Sequence, residues 1–215
     1  MGEVILIIVG ILFALKINDW NEDRKVQVEF DAYVMQLRVD VRKSIENLEK
    51  SITSAESFRD RMAFTLSFLG LSEYTAEELK AFENGLTQFG NYSEAQISVG
   101  LLGDLLSGNT ETIGQDPVLA QKALEMESEV ELHLNNMQHL YNQIDLAGNS
   151  INQFRGKSIG ALGLSTIYDL EQLRSSREFR YLAQTNINRM GNTVNFSNRI
   201  KEALESFLAV LEEYE

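Results

Sequence analysis

The 215-residue chain contains no cysteine and only one proline, Pro117. The first absence excludes disulfides, thiolate metal centres and a cysteine nucleophile. The second leaves long helices free of their commonest breaker. Histidine is scarce too, with only His133 and His139. Basic charge is outweighed: 19 Lys and Arg stand against 32 Asp and Glu, a net charge of −13 at pH 7. A chain so acidic has no general affinity for nucleic acid, itself a polyanion. The excess acid is local. Residues 72–147 hold thirteen acidic and two basic side chains, whereas residues 148–215 are balanced.

What is present begins with an unbroken apolar run of twelve residues: Val4, Ile5, Leu6, Ile7, Ile8, Val9, Gly10, Ile11, Leu12, Phe13, Ala14 and Leu15. A helix from Met1 to Trp20, at ~1.5 Å per residue, reaches about 30 Å, the thickness of a bilayer core. Glu3, Lys16, Asn18 and Asp19 sit near its ends, where polar side chains reach the headgroups. Trp20 stands where an interfacial aromatic belongs. A signal peptide would have a basic start and a small-residue cleavage site; neither is present. The expectation is a transmembrane anchor over residues 1–20, with membrane lipid as its first partner, followed by a helical bundle over 21–215.

The residues of this stretch carry a resemblance. Gly2-Glu3, the apolar run, Gly10-Ile11, Ala14-Leu15, Ile17-Asn18 and Trp20-Asn21-Glu22 resemble the amino-terminal signature of the DUF6090-like family of bacterial single-pass membrane proteins. The match covers residues 2–25 and is much looser beyond. Family members carry a basic stretch before the Gly-Glu pair that is missing here, which points to a late assigned start or a trimmed chain. The resemblance implies a bacterial cell-membrane protein whose folded part is periplasmic. Lys16, Arg24 and Lys25, which follow the run, argue the opposite orientation under the positive-inside rule.

Beyond Trp20 the pattern is helical. Phe30, Val34, Leu37, Val41, Ile45, Leu48, Ile52, Ala55, Phe58, Met62, Leu66 and Leu69 recur in steps of three and four, the spacing of a coiled-coil-like seam. No breaker separates this helix from the apolar run. Thr75-Ala-Glu-Glu78 is a capping box that opens a short helix. Residues 84–92 read as a loop and Ala95 to Leu106 as a helix. Asp116-Pro117 is an N-cap with proline at the first helical position, opening a helix to about Ala147. Residues 148–164 read as a Gly- and Ser-rich loop and Thr166 to Leu173 as a short helix. Ser175-Ser-Arg-Glu178 is a second capping box, before a last helix that ends near Glu213. The expected fold is therefore all-α. Long helices over 21–69 and 176–213 pair as a stalk, and the elements of 75–173 complete a bundle.

Motifs for chemistry fail one by one. Gly156 to Gly160 spells G-x-S-x-G, but the nucleophile elbow needs a preceding strand, a following helix and a later histidine, and both histidines come earlier. Gly156-Lys157-Ser158 lacks the first glycine of a phosphate loop, because position 151 is isoleucine. The residues three before each histidine are Val130 and Asn136, so no di-iron pattern forms. No cofactor motif or metal-ligand set is legible, and an enzyme is not expected. Glu125, Glu127, Glu129 and Glu131 offer an acidic face for docking a basic partner. The reading that follows is a membrane-anchored helical interaction protein. It would serve as an accessory or structural subunit of a larger membrane complex, meeting other transmembrane proteins or a second copy of itself. An extracytoplasmic sensor that signals through a partner is the alternative.

Overall fold

The computed structural model describes residues 2–94, 96–97, 100–106, 113–160 and 163–214. Six helices follow in chain order: α1 (Gly2–Phe68), α2 (Ala76–Leu86), α3 (Gly100–Leu106), α4 (Pro117–Ile151), α5 (Leu170–Ser175) and α6 (Arg177–Glu212). The helices pack along one another, as their seams predict. The all-α expectation needs one correction. Between α4 and α5 lies an antiparallel hairpin, β1 (Arg155–Gly160) and β2 (Gly163–Tyr168), registered from Arg155 opposite Tyr168 to Gly160 opposite Gly163. Its strands hold the β-branched Ile159, Thr166 and Ile167, and glycines flank the connection, both of which favour a hairpin. Thr166 therefore belongs to a strand, and the short helix begins only at Leu170.

The caps behave as local chemistry dictates. Thr75 accepts from the Glu78 N–H at 3.2 Å while the Glu78 carboxylate accepts from the Thr75 N–H at 2.7 Å. Asp116 accepts from the amides of Val118 and Leu119. At α6 the cap falls one residue later than the motif suggests: Ser176, not Ser175, accepts from the Phe179 N–H. Ser175 is still the last residue of α5, and its hydroxyl donates back to the carbonyl of Glu171.

Helix α6 packs along both α1 and α4, which meet each other only marginally. It runs antiparallel to the two. Lys201 pairs with Glu49 of α1 and Arg42 of α1 with Glu212, each at 2.6 Å. Against α4, Arg189 donates to the Gln143 carbonyl at 2.9 Å. A single buried stripe serves α6: Phe179, Ala183, Asn186, Met190, Thr193, Ser197, Ile200, Leu204, Phe207 and Leu211. Helix α4 is thus a third full-length member beside the two expected stalk helices.

A strap fills the space where α1 and α4 would otherwise face each other. The expected helix start at Ala95 lies outside the described residues; the chain at 91–94 and 96–97 is not helical and runs along α1, where its carbonyls accept from a row of α1 side chains. Ser51 Oγ donates to Ser93 O at 2.9 Å, Asn47 Nδ2 to Gln96 O at 3.1 Å, and Ser44 Oγ to Ile97 O at 2.6 Å. The row ends at Asp40, whose carboxylate accepts from the Leu101 N–H at 2.7 Å and so caps α3 from a different helix. From the other side, Tyr141 of α4 donates to Ser93 O and stacks on Tyr92 at 4.5 Å between ring centroids. The steps 40, 44, 47, 51 keep one face of α1 turned to the strap.

Two glycines set close approaches. A side chain at Gly85 would overlap Thr65 and the Arg61 carbonyl, so α2 lies hard against α1. One at Gly148 would overlap the main chain of Gly90, whose φ of 93° also favours glycine. The far end is closed by aromatic rings. Phe68 stacks on Phe82 at 4.5 Å, Tyr168 meets Phe82 edge-on at 5.4 Å, and Phe89 and Phe154 both meet Phe179.

Asp40 is buried and supplies the last fastening of the strap. Replacing it with alanine orphans the Leu101 N–H, at a cost of roughly 1–3 kcal/mol. Asp40→Ala is expected to lower stability to urea by that amount and to accelerate hydrogen exchange at Leu101. Exchange at Leu101 equal to the parent's would show that the carboxylate does not hold the strap.

Candidate functional site

The feature that no contact within the chain explains is the lower part of α1. Every described side chain from Gly10 to Glu29 is exposed, and Phe30 is the first that is buried. Ile11, Leu12, Phe13, Ala14, Leu15 and Trp20 all lie on this projecting stretch. Phe13 is 69% exposed and Trp20 63%, values expected of apolar residues that await another surface. A Cβ placed on Gly10 would touch nothing. Val4, Ile5, Leu6, Ile7, Ile8 and Val9 follow the same main-chain helix, and their side chains lie outside those described. Among the described residues no helix is long and apolar enough to cross a membrane.

Where the projecting stretch meets the bundle, three helices are fastened together. Phe30 meets Tyr214 edge-on at 6.0 Å. Arg38 donates from Nε to the Leu211 carbonyl and from Nη2 to the Tyr214 carbonyl, both at 2.8 Å. These carbonyls lie at the end of α6 and just beyond it, at the negative end of its dipole, and Leu211 O also accepts from the Tyr214 N–H at 3.3 Å. The Tyr214 hydroxyl donates to Asp116 Oδ2 at 2.8 Å, tying the start of α4 to the same point. Asp116 is held below the usual carboxylate range, chiefly by the Leu119 amide and then by Tyr214. Burial, then the bond to Asp116, pushes the Tyr214 phenol up to about 12.

The acidic face divides. Residues two apart on a helix point to roughly opposite sides, so Glu125 and Glu129 fall together while Glu127 and Glu131 turn elsewhere. Glu125 and Glu129 line a groove of about 280 Å³ between α4 and α6, shared with Lys122, Met126, Phe207 and Val210. Glu125 is paired with Lys122 at 2.6 Å, the main cause of its lowered pKa. Glu129 lies 3.4 Å from Nε2 of His133. The His133 ring stacks on Phe196 at 5.6 Å, and its Nδ1 is buried with no hydrogen-bond partner among the described residues. His139 is exposed and rests on Gln143. Among the described residues no three His, Cys, Asp or Glu side chains are placed to hold a metal ion.

The main chain of Gly156 to Gly160 forms β1, and Ser158 pairs with Ser165 of β2. The serine thus sits inside a hairpin strand rather than at a strand-to-helix turn, which removes the elbow geometry. The polar row Asp40, Ser44, Asn47 and Ser51 went unread in the sequence. Its signal was there: polar residues at steps of four, three and four beside an apolar seam. No family model, curated protein or solved structure matches the chain.

The Tyr214 phenol gives a pH signature. Its folded pKa of about 12 lies above the ordinary value of 10, so the fold favours the protonated form. The stability this contributes is complete below pH 10 and is lost as pH rises through 10 to 12. Tyr168, also raised to about 12 by burial and then by Glu83, adds to the same window. Tyr214→Phe is expected to unfold at lower urea at pH 7 and to lose helical circular dichroism less steeply between pH 10 and 12. An alkaline profile that superposes on the parent's would contradict this role.

Proposed function

We propose that the chain is a membrane-anchored helical interaction protein, an accessory or structural subunit of a larger membrane complex. One observation carries the reading. Helix α1 runs without a break from Gly2, through the apolar run, into the bundle, and its described residues from Gly10 to Glu29 find no cover within the chain. A helix that exposes Phe13, Leu15, Ile17 and Trp20 to water at these positions is stabilised by a second apolar phase or by a partner. Counted from Met1 to Trp20, the stretch has the ~30 Å length, with Trp20 at its boundary, expected of a bilayer span. The resemblance of residues 2–25 to the DUF6090-like membrane proteins supports the same conclusion and puts the bundle on the periplasmic side. The role is one of binding rather than catalysis. The bundle supplies a rigid mount, and the projecting helix carries it to the membrane partner.

Membrane fractionation tests the anchor. The full chain, expressed in a bacterial host, is expected to stay with membranes through an alkaline carbonate wash and to leave only in detergent. Ile8→Asp and Ile11→Asp each place a charge in the span, at a cost of about 2.5–3.5 kcal/mol, and should shift protein to the soluble fraction. A parent chain released by carbonate overturns the reading. Amine cross-linking in native membranes tests the subunit role. Lys16 should join reproducibly to other membrane proteins, and a chain without repeatable cross-links would end that part of the proposal.

A further inference from the structure

The face of α1 turned away from the bundle carries its own seam. Val28, Met35 and Val39 are 59%, 66% and 51% exposed, and Ala32 between them is exposed as well. At roughly 100° per residue, this stripe stands roughly opposite the buried stripe of Phe30, Val34, Leu37 and Val41. Continued downward in steps of three and four, the same stripe passes Lys25, Asn21 and Asn18 to reach Ala14 and Ile11. The result is one heptad register from Ile11 to Val39, ~42 Å of helix. Apolar rungs lie at both ends, with polar rungs between them; every rung is exposed among the described residues, and Met35 borders a groove that Tyr214 also lines.

We infer that this seam pairs with the same seam of a second copy, in parallel and in register. Three observations select that occupant. The stripe is self-complementary, because two-fold parallel pairing sets Val28 on Val28, Met35 on Met35 and Val39 on Val39. Polar rungs such as Asn18 and Asn21 satisfy each other only in register, the device by which parallel coiled coils fix alignment. Charge on the flanks favours the parallel orientation, in which Lys25 meets Lys25 as the single charged rung. In parallel, Arg24 flanks the seam across from Glu29 of the other copy, twice by symmetry. An antiparallel pairing of Val28 with Val39 brings Arg24 and Lys25 against Lys43 and Arg42, all cationic. The bundle lies on the far side of α1, so two copies approach without obstruction. The pairing rests on the proposed anchor only in that a shared membrane concentrates two copies in one plane.

The absence of native cysteine makes the test direct. Val28→Cys, Met35→Cys and Val39→Cys are placed singly in the full chain in native membranes. Asp31→Cys on the flank and Leu132→Cys on the exposed side of α4 serve as controls, and circular dichroism confirms that each folds. Mild oxidation should give disulfide dimers severalfold more readily at the three seam positions than at the controls. Arg24→Glu should reduce the Met35→Cys dimer, and Arg24→Glu with Glu29→Arg should restore it. Dimer yields that ignore helical phase, preferential joining of Val28→Cys to Val39→Cys, capture of a different protein, or failure of the double reversal would each overturn the pairing. Carbonate extraction of the same membranes keeps the two readings apart. Retention without phase-specific dimers sinks the seam and leaves the anchor; phase-specific dimers in a chain that washes off sink the anchor and leave the seam.

Discussion

Everything in this molecule leans on the double packing of α6. Its buried stripe from Phe179 to Leu211 lies between two helices that hardly touch each other. A helix that serves two interfaces with a stripe spaced by three and four must line up with both, and because α6 is antiparallel to each, α1 and α4 run in the same direction. The stripe also holds Asn186, which is buried with neither amide atom partnered among the described residues. An unpaired amide costs stability in such a place, and the apolar rungs on either side offset it.

The second constraint follows from the first. With α6 on one side, α1 and α4 leave a channel on the other, and the chain has no fourth long helix to fill it. It uses an extended strap instead. Extended backbone cannot satisfy its own carbonyls, so each one in a buried position needs a donor from outside. Ser44, Asn47 and Ser51 provide them from α1 and Tyr141 from α4. The polar row runs beside the apolar seam of α1, and its side chains bond to the strap. At the other end of α1, among the described residues, no strap, hairpin or helix arrives, and the stretch from Gly10 to Glu29 is exposed.

Much of the helical layout was legible because capping and periodicity are local. Thr75 with Glu78, and Asp116 before Pro117, opened helices where their chemistry required, and the seam of α1 named Phe30, Val34, Leu37, Val41, Leu48 and Met62, all of which are buried. The misses were long-range. Ala95 to Leu106 has helical composition, yet among its described residues Gln96 and Ile97 are not helical, and their carbonyls accept from Asn47 and Ser44, some fifty residues earlier in the chain. The hairpin of 155–168 was hidden by glycine and serine, which dilute the alternation of a short strand. The acidic run on α4 looked like one face when written as a line, but the turn of the helix separates its members. The docking of Tyr214 onto Arg38, Phe30 and Asp116 joins the two ends of the sequence, and no local pattern announces such a contact.

In the proposed anchor, α1 is one helix whose lower part is covered by lipid and not by this chain. Amide hydrogen exchange of the full chain reconstituted in phospholipid vesicles tests it most directly. The account predicts strong protection from about Ile5 to Ile17, a fall in protection across Asn21 to Glu29, and its return at Phe30 where the bundle begins. Exchange from Ile5 to Ile17 as fast as that across Asn21 to Glu29 would contradict it.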